Sequence, residues 1–243
     1  MALHPWDEET FGFRTGEVEL GEGRDEGDAL VRWMSEEEIA LLSASVHAED
    51  RSRQHHLHSL GFLPVEESYT VAMPRLARAE LPTSPVRLRL AEDRDLGALQ
   101  ALSRRVFRFG RFFTDPLFPP RLARERMAAW VGRAMSSRDP GDVVLVMESP
   151  DRPSGFFHVR IRGGRAQLQL GAVDPERNEG LGGVGLFVET LRWLRGRDVR
   201  SVTAEIAAAN TAVVNIYSAL GFHFTRLDIT MHLHSPHAPY LRG

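Results

Sequence analysis

The sequence contains no cysteine, which excludes a disulfide framework, a thiolate nucleophile and any thiolate-bound metal. No apolar run approaches the roughly 18 residues needed to span a bilayer, and the opening MALHPWDEET lacks the apolar core of a signal peptide. The expectation is a cytoplasmic chain with no membrane partner. Low-complexity tracts and repeats of solenoid period are missing, so neither a disordered scaffold nor a repeat array is indicated. Lysine is absent too: all 30 basic residues are arginine. An isoelectric point near 6.4 gives no support to a nucleic-acid partner.

What is present suits a soluble globular protein. The chain has 243 residues, 42% hydrophobic and 26% charged, enough for one large domain or two modest ones. Its net charge of −3 conceals a division. Residues 1–80 carry 7 arginines against 17 acids, and residues 81–243 carry 23 against 16. Differently solvated surfaces are one reading. The other is that the arginine-rich part handles phosphorylated ligands, since guanidinium matches phosphate geometry.

Three prolines between Met73 and Pro85 mark a linker. A small acidic N-terminal domain is expected over 1–80, with a strand over 11–20, a helix over 36–42 and a strand from Tyr69 to Met73. A second domain is expected over 85–243. There 86–90 alternates as a half-buried strand, and 93–106 and 119–135 carry helical apolar stripes. Strands follow at 142–148, 155–162 and 165–173, with Gly163-Gly164 as a hairpin turn. A helix to about Leu194, a strand over 199–206, a helix over 211–220 and a strand over 222–233 complete a mixed α/β pattern.

The most informative stretch is Val173-Asp-Pro-Glu-Arg-Asn-Glu-Gly-Leu-Gly-Gly-Val-Gly185. Its Gly180-Leu-Gly182-Gly-Val-Gly185 spells a dinucleotide fingerprint. The context opposes that reading. Six residues separate Val173 from Gly180, and too little chain follows for a doubly wound sheet. A P-loop is excluded because no Lys-Ser/Thr pair follows the glycines. The remaining parse places Arg177, Gly180 and Gly182 between a strand and a helix start, where free N–H groups and the helix dipole attract a pyrophosphate. A plain tight turn is the alternative.

Downstream stands Asn210-Thr-Ala-Val-Val-Asn-Ile-Tyr217-Ser-Ala-Leu-Gly221-Phe222. Together the two motifs resemble the GNAT superfamily, and the resemblance covers the order of elements from Val86 onward. It departs at two points: one residue fewer separates Pro175 from Arg177, and Asn178 stands where glycine is common. A narrower resemblance, to the dTDP-fucosamine acetyltransferase group, rests on His4-Pro-Trp-Asp7, on Leu60-Gly-Phe62 and on Phe109-Gly-Arg-Phe-Phe-Thr-Asp-Pro-Leu-Phe118. It implies an acyl-CoA N-acyltransferase fold with a small N-terminal α/β domain. The co-substrate would be acetyl-CoA without a metal, and the acceptor the amine of a dTDP- or UDP-linked amino sugar. Other small amines, antibiotics and peptide N-termini are alternative acceptors, and a CoA-binding sensor is the non-enzymatic one. A homodimer is left open.

The superfamily resemblance implies direct transfer, in which the substrate amine attacks the thioester while both are bound. The strand ending at Ala172 and Val173 would pair with the pantetheine arm. Arg177 and the amides of Glu179, Gly180, Leu181, Gly182 and Gly183 would hold the pyrophosphate. Asn210 would contact the arm or cap its helix. Tyr217 matches the family's general acid, since a phenol can protonate the departing thiolate. Glu205 is the first candidate base, with Glu148 and His158 behind it. Arg108, Phe109 and Arg111 would line the acceptor site. His55-His56-x-His58 reads as a polar helix face rather than a metal site.

Overall fold

The alternating stretches fold as strands, and the computed structural model, which describes residues 1–19, 26–177 and 182–241, joins them in one sheet. Among the described residues the strands are β1 (Ala2–Leu3), β2 (Arg14–Glu17), β3 (Ile39–His47), β4 (Leu63–Met73), β5 (Leu88–Leu90), β6 (Asp142–Met147), β7 (Gly155–Arg162), β8 (Arg165–Val173), β9 (Ser201–Ala207) and β10 (His223–His234). Across the sheet they run β1-β2-β3-β10-β4-β9-β8-β7-β6-β5. The helices are α1 (Pro5–Phe11), α2 (Glu26–Glu36), α3 (Arg51–Ser59), α4 (Leu96–Val106), the single turn α5 (Arg111–Thr114), α6 (Pro120–Ser136), α7 (Gly182–Arg195) and α8 (Thr211–Ala219). The mixed α/β class is as expected. No described helix is long and apolar enough to cross a membrane.

The helical stripes decide which face each helix covers. Leu186, Val188, Leu191 and Leu194 of α7 bury against Val159, Leu168, Val202 and Ala204. On the other face Leu99 and Leu102 of α4, with Val131 and Ala134 of α6, meet Val144, Val146, Phe156 and Ala172. Each such side chain contributes at most about 1.5–3 kcal/mol.

Two expectations for the N-terminal region are corrected. Residues 11–20 were to be a strand, but α1 runs to Phe11 and β2 covers only Arg14–Glu17. Proline at the first turn, followed by Asp7 and Glu8, is helix-start chemistry, and it outweighs the local alternation. Residues 36–42 were to be a helix, but α2 stops at Glu36, Glu38 takes a left-handed φ of 51°, and β3 begins at Ile39. Ile39, Ala40, Leu41 and Leu42 are all buried, as befits a strand covered on both faces. The helix propensity of the glutamates yields to that burial.

The centre of the sheet holds an internal repeat. The unit β3-α3-β4 superposes in sequence on β9-α8-β10 with a shift of 160 residues, His47 onto Ala207 and Ser68 onto Asp228. Asp50 caps α3 by accepting from Arg53 N, and Asn210 caps α8 by accepting from Val213 N. Gly61 and Gly221 end the two helices at φ 92° and 79°, a conformation that favours glycine. Phe62 N donates to Leu57 O and Phe222 N to Tyr217 O, at 3.1 and 3.0 Å. The pairings repeat as well. Asp228 faces both His47 and Ser68, and Ser68 faces both Asp228 and Ala207. The two units are therefore interleaved about a local two-fold at Ser68 and Asp228, each inserting its last strand into the other. Leu57 occupies in the first unit the place of Tyr217 in the second.

A buried ion pair adds a further link between the two parts of the chain. Arg126 of α6 donates from Nε to Asp7 Oδ1 of α1 at 2.7 Å, with its guanidinium 4.0 Å above the Trp6 ring.

Candidate active site

A cleft opens in the sheet where two parallel strands part. β8 and β9 pair from Arg165 with Ser201 to Leu168 with Ala204, and no further. β8 continues to Val173 and β9 to Ala207, so their facing edges carry backbone groups with no strand between them. The cause is local. Gln169 is an extra residue in β8 between the partners of Val159 and His158, and a bulge bends its strand. Ala172 is buried and Val173 half-buried on the far side of that bulge.

Gly182 and Gly183 are the first residues of α7, whose start carries the positive end of the helix dipole and N–H groups without intrahelical partners. Glu179, Gly180 and Leu181 lie outside the described residues. Arg177 donates to Arg152 O at 3.2 Å and to Asp151 Oδ2 at 3.3 Å. It borders a groove of about 860 Å³ whose walls include Arg87, Arg94 and Arg152.

The side of the sheet covered by α7 and α8 presents Tyr217, 2% exposed. Its ring stands edge-on to Phe187 at 5.2 Å and Phe222 at 4.8 Å. Burial pushes its phenol well above the ordinary value, so it stays protonated. Asn210, the cap of α8, spends its side-chain oxygen on Val213 N at 3.4 Å.

The other side carries carboxylates. Glu205 is exposed on β9, and its Oε1 accepts from Ser68 Oγ of β4 at 3.1 Å. Glu66, two residues before Ser68 on β4, shares that face. Its Oε2 accepts from Arg111 N at 2.8 Å. Burial pushes Glu66 up to about 7, with the charge of Glu205 adding to the rise and the Arg111 N–H and guanidinium opposing it. The aromatic–arginine loop is thus fastened to this face. Arg108 and Phe109 are exposed, Phe109 by 42%, while the Arg111 guanidinium sits 5.0 Å from the Phe112 ring. Glu66 was not singled out by the sequence, since nothing distinguishes it from Glu67 until β4 is placed beside β9.

The other base candidates lie on β7 and just after β6. Glu148 is exposed just after β6. His158 is buried, accepting from Trp130 Nε1 at 3.2 Å and facing Asp142 Oδ1 at 3.4 Å, and burial lowers its pKa. His55 and His58 line a groove on α3 with Arg51 and Gln54. Among the described residues, Asp115, His232 and His234 are the group whose donor atoms converge enough to hold a metal. They already engage one another. His232 Nδ1 lies 2.6 Å and His234 Nε2 3.0 Å from Asp115 Oδ2, while Leu117 N donates to Oδ1. The trio pins the end of the aromatic loop to β10.

Comparison with known proteins places this geometry. No family model matches the chain. Over 91 residues it is 32% identical to a mycothiol acetyltransferase of Kineococcus radiotolerans, a stretch making up 37% of this chain and 29% of that protein. A mycothiol acetyltransferase of Clavibacter sepedonicus is 28% identical over 91 residues, covering 37% and 30%. The match spans less than a third of the length of these relatives. Among solved structures, a GCN5-related N-acetyltransferase from Sphaerobacter thermophilus aligns with a TM-score of 0.63 and 18% identity, over 88% of this chain and 69% of that one. A tandem GNAT protein from the clavulanic acid biosynthesis pathway aligns at 0.56 and 18% identity, over 88% and 71%. The chain has the GNAT acetyltransferase fold.

Proposed function

We propose that this protein is an acetyl-CoA-dependent N-acetyltransferase that passes the acetyl group directly to a primary amine. The observation that carries the reading is the parting of β8 and β9 between the α7 helix start and Tyr217. An extended pantetheine arm fits such an edge as an added strand. The helix start and Arg177 suit a pyrophosphate, and the arginine-walled groove beside Arg177 offers charge for further phosphate. Backbone N–H groups near Ala172 and Val173 suit the thioester oxygen, where negative charge develops. Tyr217 is the proton donor to the departing thiolate, and Glu205 lies on the acceptor side.

The acceptor this site suits is an amine on a nucleotide-linked sugar. Arg108 and Arg111 offer guanidinium groups for the phosphates, and the exposed Phe109 ring offers a face for the base. The narrower resemblance to the dTDP-fucosamine acetyltransferase group supports the same choice.

Acetyl-CoA affinity tests the reading. Gly182→Glu adds bulk and a negative charge at the start of α7. Calorimetry is expected to show affinity reduced at least about tenfold, roughly 1.4 kcal/mol, with folding retained. Equal affinity in the folded variant would mean that the phosphates bind elsewhere.

A further inference from the structure

We infer that Glu66 accepts the proton of the acceptor's ammonium group, so that the N-terminal unit supplies a catalytic carboxylate to the site of the C-terminal one. The inference rests on the acyl-transfer reading above. Its ground is the interleaving of the sheet. β4 comes from the first unit yet lies beside β9, the strand that forms one wall of the cleft. Ser68 faces Ala207 and Thr70 faces Glu205, so Glu66 stands just past the end of β9, beyond the point where β8 and β9 have parted. Glu66 shares its face with Glu205, and Ser68 between them is bonded to Glu205.

The chemistry requires a group on this side. An alkyl amine is cationic at neutral pH and has no lone pair until it loses a proton. The base and the acid must also be kept apart, or each would cancel the other. The sheet does this, with Tyr217 packed under α7 and α8 and the two carboxylates on the opposite face. Of the two, Glu205 is exposed and its Oε1 is already engaged by Ser68 Oγ. Glu66 is half-buried and held by one oxygen to Arg111 N, which aims the carboxyl and leaves Oε1 without a described hydrogen bond. Charges bearing on it are Arg111 from α5 and Glu205 from β9, while Glu67, next to it on β4, belongs to the opposite face of the strand. Arg51, His55 and His58 of α3 line the groove along the same stretch of β4, and the β10 partner Thr230 is uncharged.

The step balances. One N–H proton of the ammonium passes to Glu66, which becomes neutral and later releases it to water. The freed lone pair attacks the thioester carbon, the N–C bond forms and the C–S bond breaks. The thiolate takes the Tyr217 proton. The second nitrogen proton leaves through water and restores the phenol. Overall one acetyl group is moved, one thiol is formed and one proton is released.

Thiol release tests the assignment, with dTDP- and UDP-amino sugars, glucosamine, spermidine and an N-terminal alanine peptide as acceptors. In the wild type, kcat/KM for the fastest of these should rise with pH through a limb near 7. Glu66→Gln keeps an oxygen for Arg111 N but cannot take a proton. It should lower the rate at pH 7 by about 10²-fold and abolish that limb, with acetyl-CoA affinity by calorimetry within about twofold. Hydroxylamine, neutral at pH 7 and needing no base, should recover turnover in the variant. An unchanged limb, or equal losses with hydroxylamine and the amine, would overturn the role of Glu66 while leaving acyl transfer standing. A wild type that neither binds acetyl-CoA nor acetylates any acceptor would overturn the acyl-transfer reading, and the role of Glu66 with it.

Discussion

A fragment holding residues 85–243 is expected to lack a cooperative unfolding transition and to bind no acetyl-CoA. Composition and the proline-rich linker suggest that this fragment is self-sufficient, but the sheet argues otherwise. β10 pairs only with β3 and β4, both of which precede the linker. Without them its 12 residues have no strand neighbour on either side. β9 loses the partner that faces Glu205, Ile206 and Ala207, the residues at the mouth of the cleft. Phe112, Phe118 and Leu122 lose Phe11 and Leu41, which bury against them. Arg126, only 7% exposed, loses Asp7, and breaking a buried pair by removing one partner costs about 3–5 kcal/mol. Such losses exceed a large share of the stability of an ordinary domain. Circular dichroism and thermal melts of the fragment and the full chain decide the matter. Co-expression with residues 1–80 should restore both the transition and acetyl-CoA binding. A fragment that melts cooperatively within a few degrees of the full chain would show that the interleaved strands are dispensable.

The same interleaving explains what the sequence withheld. From β5 onward nearly every element is legible, because each rests on local signals. Gly163 and Gly164 both take positive φ, 53° and 74°, as a two-residue hairpin requires. The apolar stripe of α7 predicts its buried face, and Asn210 sits where a cap belongs. The N-terminal elements depend on distant partners instead. Ile39–His47 is a strand because β10, nearly 190 residues later, lies beside it and helices cover both faces. The internal repeat escapes notice because identical residues are sparse: Ala44 with Ala204, Ala48 with Ala208, Leu60-Gly-Phe62 with Leu220-Gly-Phe222 and Thr70 with Thr230. The conformations are kept while the side chains have diverged. His158 shows how a side chain's partners are hidden from the sequence. Its place on a strand near the site suggests chemistry, yet both ring nitrogens face structural partners. The His4-Pro-Trp-Asp7 stretch, noted for resemblance alone, turns out to hold Arg126 between a ring and a carboxylate.

Tyr217→Phe is expected to lower kcat by about 10²–10⁴, the range for a positioned acid, and to leave KM for acetyl-CoA nearly unchanged. The comparison is clean because of how the residue is packed. Phenylalanine keeps the edge-on contacts with Phe187 and Phe222, and no described residue takes a hydrogen bond from the lost hydroxyl. The melting temperature should therefore stay close to wild type. Burial raises the phenol pKa, which at first sight makes it a poorer donor. A thiolate formed in the same cleft would be desolvated as well, and its own proton affinity would rise alongside. The donor stays loaded at neutral pH and its acceptor becomes more demanding as the C–S bond breaks. Such an interaction belongs to the transition state and not to the ground state, which is why kcat should fall and KM should not. The first unit of the repeat supplies an internal control, since Leu57 occupies the corresponding place and has no proton to give. Acid chemistry is therefore expected from the second unit alone. If Tyr217→Phe keeps more than about a third of wild-type kcat with chemistry rate-limiting, the ring is packing and the thiolate takes its proton from water.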